Sequence, residues 1–413
     1  MTRVCRGTVR VLLIAAGMAL THCVPGGGTK VTDAYATPSA SGSARALSGS
    51  KNKWEAEIFS PRDAEVAPEL RELQELCGRA DVALSRVATQ VLTWPDFDID
   101  PDAREHLDFA MRAAGVSYVW PRAWARAISS SEVDRSSVRA SLEAWLRSFN
   151  DGGERRCGLA RAANATMTSF AAVVVDVLAD VVRPLPTRAR TGQWLDLQVQ
   201  LLEPASDAKV IRQGPTGEPT YLPTSFAGAD VRARFPMASP GRWLLQVMAM
   251  TNSGPRPVAD LLVFVDEAPP SQLELTPVPG ESAKGLGTDI AESLFLMLNQ
   301  ARVEEGRKPL RRSAELDRLA LDHSKAMLAV GHTGHDVGDG LPGARMASAG
   351  LVASLVGENV VRAADARRAH RELWASPSHR SNILHRGFRN VGVGAFVGPD
   401  RTVWACELFA ALD

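Results

Sequence analysis

The sequence predicts a multidomain chain: a mostly helical N-terminal domain, an all-β middle domain and a three-layer α/β/α C-terminal domain. Three observations predict it. Apolar residues recur at helical spacing through the first part of the chain. The period changes to two between residues 186 and 267. Helical spacing then returns, and the chain ends in a strand hairpin. The 413 residues suffice for about two to four domains.

The N-terminus reads as a targeting segment. Arg3, Arg6 and Arg10 precede the apolar run "VLLIAAGMAL", Val11 to Leu20, which is too short to cross a bilayer. "LTHC", Leu20 to Cys23, resembles a bacterial lipobox, with His22 where a small residue is usual. Residues 1–23 are therefore expected to be a leader ending at a lipidated Cys23. An amide-linked chain added to a diacyl group would anchor the protein stably. The alternative is ordinary cleavage and secretion. Residues 24–53, rich in Gly, Ser, Ala and Thr, read as a flexible tether.

Residues 54–185 form the first domain. Leu70, Leu73, Leu76, Ala80, Leu84, Val87 and Val91 keep a helical period. A second helix carries Leu142, Trp145 and Leu146. "GLARAANATMTSFAAVVVDVLADV" reads equally as a hairpin or a buried helix. Of five cysteines, Cys5 leaves with the leader and Cys23 takes lipid. An oxidising envelope permits a Cys77–Cys157 disulfide and leaves Cys406 as a buried thiol.

Residues 186–267 alternate. In "WLDLQVQLL", Leu195, Leu197, Val199 and Leu201 face one side. "DVRARF", "GRWLLQVMAM" and "ADLLVFV" repeat the pattern between turns, which argues for a small β-sandwich of immunoglobulin-like type. Residues 268–285 read as a Pro-rich linker.

Residues 286–413 carry the candidate chemistry. Helices are expected over about 288–305 and 313–330, the second capped by Ser313. "VGVGAFV" and "TVWACELF" flank a Gly-Pro-Asp turn and make the closing hairpin. "LNQARVEEGRKPL", "GHTGHD", "GENV", "LWASPSHRSNIL" and "FRNVGVGA" follow in one order. Together they resemble the CAP superfamily of cysteine-rich secretory, antigen-five and pathogenesis-related-one proteins, in its bacterial, SCP-like branch. The resemblance implies an α/β/α sandwich with a cleft holding two histidines and acidic residues. Carried onto this sequence, it names His332, Glu358 and His379, with Glu372 near the second acidic position but before Trp374.

The residue chemistry is compatible with that cleft. Two imidazoles and a carboxylate suit zinc or another divalent cation and leave a coordination position open. Ser376 and Pro377 start a helix, whose positive end would keep His379 neutral. Asn359, Arg380 and Asn382 are expected to line the cleft. Glu358 equally suits a structural carboxylate that accepts backbone N–H bonds. His323 reads as a core histidine and His335 as exposed; His370 and His385 carry no signal.

Three functions follow. The first is a non-catalytic binding module for a divalent ion or a small or lipidic ligand. The second is a metal-assisted hydrolase of envelope material with Glu358 as base. The third is a structural adaptor. No GxSxG, HExxH or P-loop is present. Lys+Arg and Asp+Glu balance at 47 each, which gives no field for nucleic acid. The membrane is expected to be a partner through the lipid anchor alone, on the periplasmic or surface side. The first domain also echoes the last, "LEAWLRSF" against "RELWASPS" and "CGLARA" against "VGVGAF". It is either an unrelated helical domain or a degenerate, site-less CAP-like repeat.

Overall fold

The computed structural model describes residues 10–11, 54, 58–59, 66–94, 103–129, 135–147, 152–252, 254–273 and 275–412. Most of the leader, Cys23 and the tether 24–53 lie outside the described residues.

The N-terminal domain runs α1 (Arg71–Cys77), β1 (Arg79–Ala80), α2 (Val82–Val91), α3 (Ala103–Ala113), β2 (Arg122–Ser129), α4 (Arg135–Leu146), β3 (Glu154–Ala163) and β4 (Met167–Val177). Its sheet has the order β2-β4-β3-β1, with β1 parallel to β3 and the other pairs antiparallel. The expectation of a mostly helical domain is thereby corrected, and the ambiguous stretch is a hairpin. The reason lies in β4. Ala171, Val173, Val175 and Val177 share a core with α2 and α3, while Phe170, Ala172 and Val174 share one with α1 and α4. With helices on both faces no polar period survives, so a central strand reads like a buried helix. Asn164 shapes the turn, its side-chain oxygen accepting from the amides of Thr166 and Met167. Cys77 and Cys157 are bonded, tying the end of α1 to β3 across 80 residues of chain.

The middle domain is two sheets around one core. One contains Trp194–Leu201 and Asp230–Pro236, flanked by Thr224–Ala227 and Ala179–Val181. The other contains Asp207–Gln213, Gly241–Thr251 and Gly254–Val265, with Thr220–Leu222 and Arg188–Ala189 at its edges. Leu197, Val199 and Phe235 from the first meet Val210, Leu245 and Val263 from the second. Ala179–Val181 pairs within this domain, so its edge lies before residue 179 rather than at 186.

The C-terminal domain runs α5 (Ile290–Glu304), β5 (Arg311–Arg312), α6 (Ala314–Val330), α7 (Pro342–Ser348), β6 (Ala353–Ala363), α8 (Ala366–Ala375), α9 (Pro377–Leu384), β7 (Asn390–Val397) and β8 (Val403–Leu412). The sheet order is β6-β8-β7-β5, with Arg10–Val11 beside β6. Helices α5, α8 and α9 cover one face, and α6 and α7 the other. The second half of the linker is not free. Glu281 pairs with Arg371, the Gly280 amide donates to Glu304, and the Pro279 carbonyl meets His370 Nε2.

Glycines let helices lie directly on strands. A Cβ at Gly392 would stand 2.1 Å from the Leu316 carbonyl carbon, and one at Gly394 would stand 2.0 Å from the Leu321 nitrogen. In the N-terminal domain a Cβ at Gly158 would stand 1.9 Å from the Leu84 carbonyl carbon. The correspondence extends to the helix caps. Asp81 caps α2 and its amide donates to the Cys157 carbonyl; Ser313 caps α6 and its amide donates to the Val391 carbonyl. Strand order, strand sense and this helix contact are therefore common to the two end domains, and among the described residues α9 is the helix added in the second.

Valine at Gly158 or Gly392 is expected to force a helix off its strand and to lower the unfolding free energy by about 3 kcal/mol. Urea denaturation checks this, with Gly287→Ala as the control, because a Cβ at Gly287 meets nothing within 4 Å.

Candidate functional site

Glu358 stands at the middle of β6, an outer strand of the C-terminal helix-flanked sheet. Alternation along β6 sends Val356, Glu358 and Val360 toward α6 and α7, and Val361 toward the other face. The Glu358 carboxylate is fully buried and has partners from four places. His335 Nδ1 lies 2.7 Å from Oε1, and His323 Nε2 lies 3.8 Å from the same oxygen. On Oε2, Arg345 donates from α7 and Cys406 Sγ donates from β8 at 3.3 Å. Burial alone would raise this carboxyl, but the His335 hydrogen bond and the Arg345 cation hold it down to about 2.

The histidine beside Glu358 is His335, not His332. Gly331 ends α6 in a left-handed conformation with φ 78°, and the next residue, His332, is exposed. The chain turns back at Gly334, whose carbonyl accepts from His323 Nε2 at 2.8 Å. That bond sends His335 inward, where it is buried. The expectation of an exposed His335 is corrected with it. His323 is buried, as a core histidine is, but it is also a network member: its Nδ1 lies 2.7 Å from Asp339, which Arg345 also contacts.

His379 sits in the first turn of α9 and is fully buried. Among the described residues neither of its ring nitrogens has a hydrogen-bond partner, and His335 Nε2 also lacks one. Burial pushes the His379 ring down to about 3, and nearby His335 adds to the effect, so the ring is neutral. Burial is the larger of these two causes. Ser376 occupies the cap position without capping: its hydroxyl meets Ser378 Oγ, and no helix amide donates to it.

Two asparagines fix α9 against β6. Asn382 donates to the Glu358 carbonyl at 3.0 Å and to Asn359 Oδ1 at 2.9 Å. Asn359 donates to Glu407 at 2.9 Å and to the His379 carbonyl at 3.3 Å. Arg380 turns elsewhere, stacking 4.2 Å over Trp374 and pairing with Glu305. Glu372 faces α3, within reach of the charges of Arg104, Glu105 and Asp108, and burial pushes it up to about 8. The buried acid beside α9 is instead Glu407, pushed by burial up to about 7. Sequence reading passed over Glu407. Its one signal is cross-strand register, which sets it opposite Asn359 and next to Cys406.

The trio expected to hold a metal therefore does not assemble. His332 points to solvent, and both oxygens of Glu358 are engaged by donors. Among the described residues no group of three or more His, Cys, Asp and Glu is arranged for a metal ion. The arrangement offers instead two buried imidazoles with unpartnered nitrogens beside a carboxylate whose charge Arg345 balances. Glu358 is hydrogen-bonded to His335, Arg345 and Cys406 and lacks the near-neutral pKa that a general base needs.

Glu358→Gln is expected to strand the Arg345 cation and to destabilise the domain by about 3–5 kcal/mol at pH 7. Because the folded carboxyl titrates below its ordinary value, its contribution is present above about pH 4.5 and is lost as pH falls toward 2. Urea unfolding across that window should show wild type converging on the variant.

Comparison with curated proteins finds no match. Among solved structures, an outer surface protein of Borrelia burgdorferi is similar at 15% identity, over 32% of this chain and 99% of its own, with a TM-score of 0.29. An extracellular SCP-domain protein of Bacillus anthracis is similar at 17%, over 56% and 88%, with a TM-score of 0.28. A cysteine-rich secretory protein of Staphylococcus aureus is similar at 12%, over 52% and 76%, with a TM-score of 0.26. Residues 295–408 match the model of the cysteine-rich secretory protein family, and the chain carries a C-terminal CAP domain.

Proposed function

We propose that the chain is an exported cell-envelope protein, lipid-anchored at Cys23, whose CAP domain binds a divalent ion or a small polar or lipidic ligand at His335 and His379 without turning it over. One observation carries the binding reading. Three ring nitrogens on two buried histidines have no partner among the described residues, while the adjacent carboxylate is hydrogen-bonded on both oxygens. Leaving a buried polar group unmatched costs about 1–3 kcal/mol, so a ligand that meets these nitrogens gains that energy on binding. The leader and the bonded Cys77–Cys157 pair support export to an oxidising compartment. Balanced charge argues against a nucleic-acid partner.

The N-terminal domain is read as a CAP-like repeat that keeps the scaffold and lacks the site. Gly158 pairs with Val173 as Gly392 pairs with Leu408. Following the register outward, Ala123 takes the place of Glu358, and Ala171 and Ala172 take those of Cys406 and Glu407. The middle domain is read as an immunoglobulin-like spacer between the two.

Zinc is the first probe, because imidazole nitrogens are its common ligands. Calorimetric titration should show binding that His335→Ala and His379→Ala each weaken at least tenfold and that His332→Ala leaves unchanged. Equal heats in all four proteins would remove a cation as the ligand, and the same variants then test small polar and lipidic molecules. Loss of binding in His332→Ala alone would restore the site expected from the sequence.

A further inference from the structure

We infer that the β-sandwich is a lid on the CAP domain, and that a ligand reaches His335 and His379 only when these two bodies part. This rests on the reading of that histidine pair as the binding centre.

The first observation is α9 itself. All eight of its residues are buried, which a helix against one sheet does not achieve. One side is held to β6 by Asn382 and Asn359. The other faces the sandwich, where it meets Asp207–Gln213 and Gly241–Thr251. The backbone amide of Ser378 is one of the donors that a helix start leaves without an internal partner. It donates to the Gln246 side chain of the sandwich at 3.1 Å, and Gln246 is buried. Tyr221 of the sandwich hydrogen-bonds Ser381, two residues beyond His379.

The second observation is the turn between Gly241–Thr251 and Gly254–Val265. A Cβ placed on Gly254 would lie 3.9 Å from the His335 Cβ. The sandwich therefore touches the site from two directions, Gln246 next to His379 and Gly254 against His335. Both histidines are buried where the bodies meet.

The third observation is how the bodies are joined. Polar contacts cross this seam: the Glu218–Arg307 pair at 3.2 Å, the Gly217 amide on Glu305, and the Gln246 and Tyr221 bonds. Relative motion is the default between domains of one chain. Among the described residues, the connection from Val265 to the docked Pro279 has no helix or strand. The N-terminal domain is fastened to the sandwich through Arg112, which donates to the Asp260 carbonyl, so the two would move together. Opening must then also release the Arg368–Glu105 pair between α8 and α3.

The test labels the full chain with diethylpyrocarbonate and follows each histidine by peptide mass spectrometry. In wild type, exposed His332 should react at least tenfold faster than His335 and His379. In Gln246→Ala/Tyr221→Ala, both buried rings should speed up tenfold or more, while His332 and the network-bound His323 keep their rates. A rise at His323 would mean that this variant unfolds. Glu218→Ala, at the seam's rim, then replaces it and should give a smaller rise confined to His335 and His379. Hydrogen exchange at the Ser378 amide reports opening directly, and across wild type, both variants and low urea the His379 rate should follow it. A His379 rate equal to that of His332 in wild type would overturn the lid, as would one that stays constant while Ser378 exchange accelerates. Labelling needs no ligand, so a failure of zinc binding leaves this result readable.

Discussion

A single carboxylate organises one face of the CAP domain. Glu358 is buried on an outer strand, and its charge is balanced by donors from four different segments: His323 on α6, His335 on the loop after it, Arg345 on α7 and Cys406 on β8. An unpaired charge there would be expensive, so the loop that carries His335 must close over it and α7 must present Arg345. The fold of the segment between α6 and β6 follows from that need. So does the chemistry: a carboxylate this fully engaged orients His335 and leaves the ring's other nitrogen for something else.

The same scaffold appears at both ends of the chain with different contents. Glycine under a helix, a capping residue whose amide bonds the neighbouring strand, and one strand order recur in both. In the first domain alanines stand where the second has Glu358, Cys406 and Glu407, and a disulfide ties α1 to β3. The sandwich joins the two and reaches across to α9. Its position decides what the histidines can meet, because His335 and His379 both lie at the seam with it.

Much of this architecture was legible. The strands of the middle domain alternate because the outer faces of its two sheets carry polar side chains, Gln246 among them. The motifs "GENV" and "WASPSHRSNIL" supplied Glu358, Asn359, His379 and Asn382 directly. The hairpin in the first domain was not legible, because β4 is covered on both faces and shows no period. His335 was missed for a different reason. Two histidines stand three residues apart in a glycine-rich loop, and only the left-handed turn at Gly331 and the return at Gly334 determine which one points inward. Arg380 read as a site residue by its place in the motif, yet stacking on Trp374 carries it away.

The sequence by itself determined the order of domains, the elements of the last one and the side chains available to its cleft. These follow from local periodicity, turn chemistry and motif order, which neighbouring residues along the chain specify. Tertiary structure decided which of those side chains meet, and whether they meet solvent. Glu358 and His335 are 23 residues apart, Asn359 and Glu407 are 48, and Gln246 and Ser378 are 132. Contacts at such separations depend on strand register and domain packing, and burial is a property of the assembled layers rather than of any one segment.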